Sequence, residues 1–172
     1  MLWWEILLIA LAGFILLFIV YLGIKRIRYN IVMKKISDAF EITLENPSIK
    51  ELKCNDVYQM EVESEKKYLV KLIDMNPRYE IIITNADRVV INADVKDWKR
   101  STKPHFVSGI RRFMSHEKDN KNLVKIILIY PGCHNITKYI NESDVFKAKK
   151  HQKIDGLYFI KFADFEEFIK NH

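Results

Sequence analysis

An uncharged apolar segment from Ile6 to Ile24 constrains this chain more than any other feature, and Lys25, Arg26 and Arg28 follow it. An apolar helix of about 20 residues matches the roughly 30 Å hydrocarbon layer of a bilayer, because its backbone amides bond to one another within the helix. The segment therefore predicts a single transmembrane helix. We assign residues 1–28 to this anchor together with the basic residues that end it.

A cleaved secretory signal peptide is the competing interpretation of this segment. Signal peptides have a positively charged start, a short apolar region and small residues at the cleavage site. Here Trp3 and Trp4 precede the apolar run, and bulky basic residues follow it. We therefore expect a retained, single-pass anchor in the cell membrane. Because basic residues near a transmembrane end stay on the cytoplasmic side, residues 29–172 are predicted to form a cytoplasmic domain.

Basic residues outnumber acidic ones, and the formal net charge is +6 at pH 7. This surplus favours polyanionic partners, which include nucleic acid and anionic lipid. The two cysteines, Cys54 and Cys133, lie far apart without a C-x-x-C partner. This usage argues against a disulfide framework or a zinc ribbon. His134 adjoins Cys133, but the pair follows Pro131-Gly132 and predicts a turn rather than a nucleophilic site.

Hydrophobic periodicity divides the rest of the chain into short elements. Helical spacing extends the first helix to about Phe40, and Asn46-Pro47 ends any continuation. Four β-like segments then predict an antiparallel meander: Val57–Val62, Tyr68–Ile73, Tyr79–Thr84 and Arg88–Ala93. Leu123–Tyr130 is a nearly continuous apolar run, which predicts a central strand covered on both faces.

The remaining segments predict three helices and one more strand. Apolar spacing indicates an amphipathic helix over Phe106–Met114, a short helix over Glu142–Lys149 and a strand over Leu157–Ile160. A closing helix is predicted over Asp164–Asn171, with Asp164 as its cap and Phe165, Phe168 and Ile169 facing inward. The expected fold class is α/β, in its mixed α+β form. It has a central mixed sheet flanked by helices and preceded by one transmembrane helix.

Two of the predicted strands form a hairpin whose register separates polar from apolar side chains. With residues 85–87 as a three-residue loop, Thr84 faces Arg88 and Glu80 faces Asn92. Because side chains alternate along a strand, one face is then apolar: Ile81, Ile83, Val89, Ile91, Ala93 and Val95. The other face carries the polar groups, with Ile82, Thr84 and Val90 among them: Arg78, Glu80, Asn92, Asp94 and Lys96.

Glu80 and Asp94 are diagonal neighbours on this polar face, about 7 Å apart on adjacent strands. Two carboxylates can hold Mg²⁺ together with waters and phosphate oxygens. Such an ion lowers the pKa of a bound water and stabilises developing charge on phosphorus. We therefore predict that Glu80 and Asp94 bind a metal ion and that they act with Lys96 in phosphodiester hydrolysis. The alternative is an ordinary hairpin with one solvated face.

The segment from Glu80 to Trp98 resembles the metal-binding hairpin of the PD-(D/E)xK nucleases, and most closely their nuclease-related domain. The shared pattern is an acidic residue, a hydrophobic strand, a turn, and a second strand that ends in acid-x-Lys before Trp98. The resemblance covers roughly Ile31 to the C-terminus. It implies a restriction-endonuclease-like fold and DNA cleavage with Mg²⁺ or Mn²⁺. It also implies that Asp94 and Glu80 are metal ligands and Lys96 the catalytic lysine.

Basic residues downstream of the hairpin are candidates for contact with nucleic-acid phosphates, although a solvated surface accounts for them equally well. They are Lys99, Arg100, Lys103, Arg111 and Arg112. Two functions follow from the sequence. One is a membrane-anchored, metal-dependent nuclease. The other is a catalytically inactive, membrane-tethered module that binds nucleic acid, anionic lipid or a protein partner.

Overall fold

A computed structural model of the chain describes residues 3–52, 57–85, 88–92, 105–117, 120, 122–140 and 144–172. The chain divides into two compact units, one ending at Ala39 and the other beginning at Phe40.

Helix α1 runs without interruption from Trp3 to Thr43, so it confirms the predicted helix and its end before Asn46-Pro47. Every side chain from Trp3 to Arg28 is exposed, although most of them are apolar. By length and composition the helix could cross a membrane. At about 1.5 Å per residue, it is roughly twice as long as a bilayer core is thick.

The second unit contains β-strands and short helices. In chain order the strands are β1 (Ser48–Glu51), β2 (Met60–Glu63), β3 (Lys67–Asp74), β4 (Glu80–Asn85), β5 (Arg88–Asn92), β6 (His105–Phe106), β7 (Leu123–Tyr130), β8 (Ile136–Tyr139), β9 (Val145–Lys147), β10 (Lys153–Ile154) and β11 (Leu157–Lys161). The helices are α2 (Ile110–Ser115) and α3 (Phe165–Lys170), and a 3₁₀ turn at Phe162–Asp164 leads into α3.

Six strands form the first sheet, in the order β1-β2-β3-β7-β11-β10. β3 and β11 both pair with β7 in parallel, whereas the outer pairs are antiparallel. The predicted strand Leu123–Tyr130 is confirmed as β7, and it lies inside the sheet. Its residues from Lys125 to Ile129 are all buried, as expected for a strand covered on both faces.

Five strands form a second sheet, in the order β6-β5-β4-β8-β9. The predicted mixed α+β class is confirmed, with two mixed sheets instead of one. The predicted four-strand meander is wrong, because β3 and β4 lie in different sheets. β3 has buried side chains on both faces, Tyr68 and Leu69 among them. Such a strand needs a layer on each side, and it pairs with the equally apolar β7 rather than with the next strand in sequence.

The two sheets share one hydrophobic core, in which Ile127 and Ile129 of β7 cluster with Ile81 and Ile83 of β4 and with Phe113 of α2. On the other face of the first sheet, aromatic rings form a second cluster. The Phe40 ring lies 5.5 Å from that of Tyr68 and 5.3 Å from that of Phe165 in α3. The first sheet is thus the middle layer of the unit.

Two predicted helices differ from the structure. α2 begins at Ile110 instead of Phe106, because Gly109 precedes it with a φ of 72° and Phe106 belongs to β6. The helix predicted over Glu142–Lys149 is wrong within the described residues, where Val145–Lys147 is strand β9. β9 pairs with β8 in antiparallel register, and this pairing outweighs a weak local helical pattern.

The closing helix is confirmed as α3, with Phe165, Phe168 and Ile169 buried as predicted. Asp164 is at the cap position, but its side chain forms no capping hydrogen bond. Its carboxylate instead lies 3.1 Å from the Lys150 ammonium.

Candidate functional site

The predicted register of the β4–β5 hairpin is confirmed from Glu80, which faces Asn92, to Ile83, which faces Val89. Nearer the turn the register shifts, so that Asn85 rather than Thr84 pairs with Arg88. On the predicted apolar face, Ile81, Ile83 and Val89 are at most 1% exposed and Ile91 is half-buried, whereas Ala93 and Val95 lie outside the described residues. Val90, on the predicted polar face, is also buried. Glu80 and Asn92 lie on the opposite face and are half-buried.

A threonine of the parallel neighbour β8 holds the Glu80 carboxylate. Thr137 is buried, and its hydroxyl donates a hydrogen bond to Glu80 Oε1. Thr137 is in register with Ile82, so its side chain points to the same face as Glu80. This contact fixes Glu80 on the predicted polar face.

The other members of the predicted hydrolytic site, Asp94 and Lys96, lie outside the described residues, as do Lys99, Arg100 and Lys103. Within the described part of the chain, no group of three histidine, cysteine, aspartate or glutamate residues could hold a metal ion. Glu80 is the only one of the two predicted metal ligands within the described residues, and a metal site shared with Asp94 stays a prediction.

The predicted phosphate contacts Arg111 and Arg112 are exposed on α2. The buried side of that helix is formed by Ile110 and Phe113. Arg111 and Arg112 are therefore available to solvent.

A basic cavity of about 260 Å³ lies where β11 ends and where the segments after β7 and β9 approach it. Among the described residues, Asp164 is the one acidic residue that lines it. The basic lining residues are His134, Lys147, Lys149, Lys150, His151 and Lys161. We call this the basic pocket. Hydrophobic periodicity does not predict this pocket, although the basic run Lys147-Ala-Lys-Lys-His151 is a local signal for part of it.

Parallel strand pairing explains the position of the basic pocket. β11 pairs with β7 so that Lys161 is in register with Ile129, and the carboxyl ends of both strands reach the same edge. In sheets of parallel strands, ligands bind outside this carboxyl edge. The chain after β7 supplies His134, whose carbonyl accepts a long, 3.5 Å hydrogen bond from Lys161 Nζ.

The cations of the basic pocket are unequally neutralised. Lys150 pairs with Asp164 at 3.1 Å and with Glu167 at 2.5 Å, and these bonds raise its pKa. Lys147, Lys149 and Lys161 form no ion pair with any described residue. Three lysine charges at one cavity thus lack a counter-charge in the described part of the chain.

Cys133 directly precedes His134, a lining residue of the basic pocket, but Cys133 itself is buried. Burial raises the pKa of its thiol to about 11, although the positive charge of Lys161 opposes this effect. A protonated, enclosed thiol is a poor nucleophile. The cavity therefore offers positive charge and no activated cysteine.

This arrangement suits the binding of a phosphate group by lysine ammonium groups. Comparison with protein-family models, with curated proteins and with solved structures finds no match to this chain.

Proposed function

We propose that this chain is a membrane-anchored protein whose C-terminal domain binds nucleic acid at the cytoplasmic surface. The observation that supports this most directly is the basic pocket, with the charges of Lys147, Lys149 and Lys161 uncompensated within the described residues. The exposed Arg111 and Arg112 add further positive charge to the same unit. Phosphates of single-stranded nucleic acid are the expected ligands, because a flexible strand can place them in a small cavity.

The membrane part of the proposal rests on α1. Its exposed apolar side chains favour a lipid environment, and Lys25, Arg26 and Arg28 favour a cytoplasmic domain. A signal sequence near the N-terminus can have the same length and apolar composition as this helix. Recovery of the intact N-terminus in carbonate-washed membranes supports an anchor, whereas a mature chain that begins after residue 28 contradicts it.

Nucleic acid is favoured over anionic lipid because the lysines surround a recess. A bilayer surface is broad and contacts protruding side chains, whereas a recess admits single phosphate groups. Binding of anionic vesicles through the domain, with no binding of oligonucleotides, would be the outcome that selects lipid instead.

The test is fluorescence anisotropy with a labelled single-stranded oligonucleotide and the full chain in detergent, across a salt titration. The logarithm of the binding constant should fall linearly with the logarithm of the salt concentration, because each neutralised phosphate releases counterions. Changing Lys149 and Lys161 together to Gln should reduce the slope by about 1.4, since each phosphate contact contributes about 0.7 for a single strand. The matched control changes the exposed Lys50 and Lys170 to Gln, which removes the same charge elsewhere. Equal weakening by both variants would contradict a specific role for the basic pocket.

A second candidate function is metal-dependent cleavage of DNA by a restriction-endonuclease-like domain. It is favoured by the Glu80–Asn92 register and by the resemblance of residues 80–98 to the PD-(D/E)xK hairpin. The full chain is incubated with plasmid or single-stranded DNA and Mg²⁺ or Mn²⁺. Asp94→Ala, Lys96→Ala and Glu80→Ala should each abolish metal-dependent products while DNA binding persists. Cleavage that survives in all three variants, or that is absent from the unaltered chain, overturns this candidate.

A further inference from the structure

A second cavity, of about 330 Å³, lies at the opposite, amino-terminal end of the parallel strands. It is lined by the chain around the end of α2, by the start of β7 and by the turn between β10 and β11. Asp155 and Gly156 form that turn with φ of 50° and 86°, as a two-residue type I′ hairpin requires. The cavity volume is at the lower end of the range for small-molecule sites.

Lys125 of β7 lines this cavity and is only 8% exposed. Its ammonium donates a hydrogen bond to the Met114 carbonyl at 2.6 Å. Burial lowers the pKa of Lys125, and the negative charge of Glu117 opposes that effect. An ammonium has three donors, so one backbone carbonyl satisfies only part of its capacity.

Both carboxylates that line the cavity among the described residues form ion pairs with other lysines, although Lys67 is shared between Glu117 and Glu61. Glu117 lies 2.7 Å from the ammonium of Lys67, and Asp155 pairs with Lys138. Lys125 itself forms no ion pair with any described residue. Burial removes much of the hydration of an ammonium, and here the Met114 carbonyl and the charge of Glu117 replace only part of it.

The other basic residue at the cavity, Lys153, is differently placed. It is exposed, and its ammonium lies 5.6 Å from the centre of the Tyr158 ring, where a cation is attracted to the aromatic face. Lys125 is therefore the buried cation of the cavity, and Lys153 is at its rim.

The remaining lining includes three apolar side chains. Leu157 is buried, and Met114 and Leu123 are half-buried in the core cluster beside it. A ligand that fits this surface combines one negative charge with a short apolar body. An inorganic phosphate dianion is disfavoured, because Glu117 and Asp155 add negative charge close by.

We propose that this cavity binds a small organic monocarboxylate, whose carboxylate pairs with Lys125 while its apolar body packs on Met114, Leu123 and Leu157. One carboxylate supplies the counter-charge that Lys125 lacks among the described residues. The site is independent of the nucleic-acid proposal, since it lies at the other end of the parallel strands from the basic pocket.

Calorimetric titration of the full chain in detergent tests the site, with sodium butyrate as the probe. Butyrate should bind saturably and raise the unfolding temperature, whereas butanol and inorganic phosphate at the same concentration should do neither. Lys125→Met should weaken butyrate binding at least about tenfold, because it removes a charge-assisted hydrogen bond and keeps the side-chain volume. Lys153→Met is the matched control and should alter the affinity less than about threefold, since this ammonium is at the rim.

A second measurement uses the unaltered chain, in case Lys125→Met does not fold. Butyrate should slow acetylation of Lys125 by acetic anhydride, while the rate at Lys153 changes little. The proposal is overturned if butyrate does not bind, if butanol binds equally well, if the folded Lys125→Met variant keeps the affinity, or if Lys125 is not protected.

Discussion

Thr137 of β8 donates its hydroxyl hydrogen to Glu80 Oε1 of β4, and so joins two parallel strands through their side chains. Thr137→Val removes the donor and nearly preserves the shape. We expect the free energy of unfolding to fall by about 1–3 kcal/mol, because a half-buried carboxylate loses a hydrogen bond. Urea titration followed by circular dichroism measures the change.

The control for this prediction is Thr84→Val. Thr84 is exposed and donates only a 3.3 Å hydrogen bond to the Arg88 carbonyl. Its replacement should change the free energy of unfolding by less than about 0.5 kcal/mol. If the two variants lose equal stability, the Thr137–Glu80 bond has no special role.

Cys133 should resist alkylation in the folded protein, because its thiol is buried and its pKa is raised to about 11. Iodoacetamide at neutral pH should modify it only after denaturant is added. Peptide mass spectrometry distinguishes it from Cys54, which lies outside the described residues. Rapid modification of Cys133 in the native chain would contradict the burial described here.

Lys125 should make the stability of the domain depend on alkaline pH. Its pKa in the folded state is below the ordinary 10.5. At pH values between the lowered pKa and 10.5, the unfolded chain therefore binds more protons than the folded one. Stability therefore rises with pH through the lowered pKa and up to about 10.5. We expect the stability of the unaltered chain relative to Lys125→Met to rise along this interval, because the variant lacks the titrating group.

Denaturant titrations of both proteins at several pH values measure this difference. Among the described residues, the ionisable groups around Lys125 are Glu117, Asp155, Lys153 and Lys67. Both proteins contain them, so their contributions to the pH dependence largely cancel in the comparison. A stability difference that is constant with pH would show that Lys125 titrates normally.

Shortening a side chain at the centre of β7 should strongly destabilise the domain. Ile127 is fully buried in the core between the sheets, and Ile127→Ala should lower the free energy of unfolding by about 2–5 kcal/mol. Ile140, at 66% exposure, offers a matched control. Ile140→Ala should cost less than about 0.5 kcal/mol in the same urea titration, and an equal loss at both positions would place Ile127 outside the core.

Local patterns in the sequence were sufficient for several elements. The uncharged run predicts α1, the continuous apolar run predicts β7, and alternation across Glu80–Asn92 predicts the hairpin register. Each of these depends on neighbours in sequence or across a short turn, which periodicity describes directly.

Long-range pairing could not be predicted in the same way. The alternation of apolar and polar side chains along β4 is compatible with a neighbouring strand from either sheet. It does not indicate that the neighbour is β8, which follows much later in the chain. The basic pocket is not predictable for a related reason, since Lys149 follows β9 of the second sheet whereas Lys161 ends β11 of the first, and only the folded unit brings them to one cavity. The turn Asp155-Gly156 is a local signal that indicates the β10–β11 hairpin and helps to place Lys161.

The parallel pairing of β3 with β7 and of β7 with β11 also governs when the domain can fold. Translation proceeds from the N-terminus at about 5–20 residues per second, so β3 and β7 leave the ribosome before β11. Until β11 emerges, β7 lacks one of its two partners, and its apolar surface is accessible to chaperones and to other nascent chains. A ribosome stalled before Leu157 would thus hold a chain that cannot complete its first sheet.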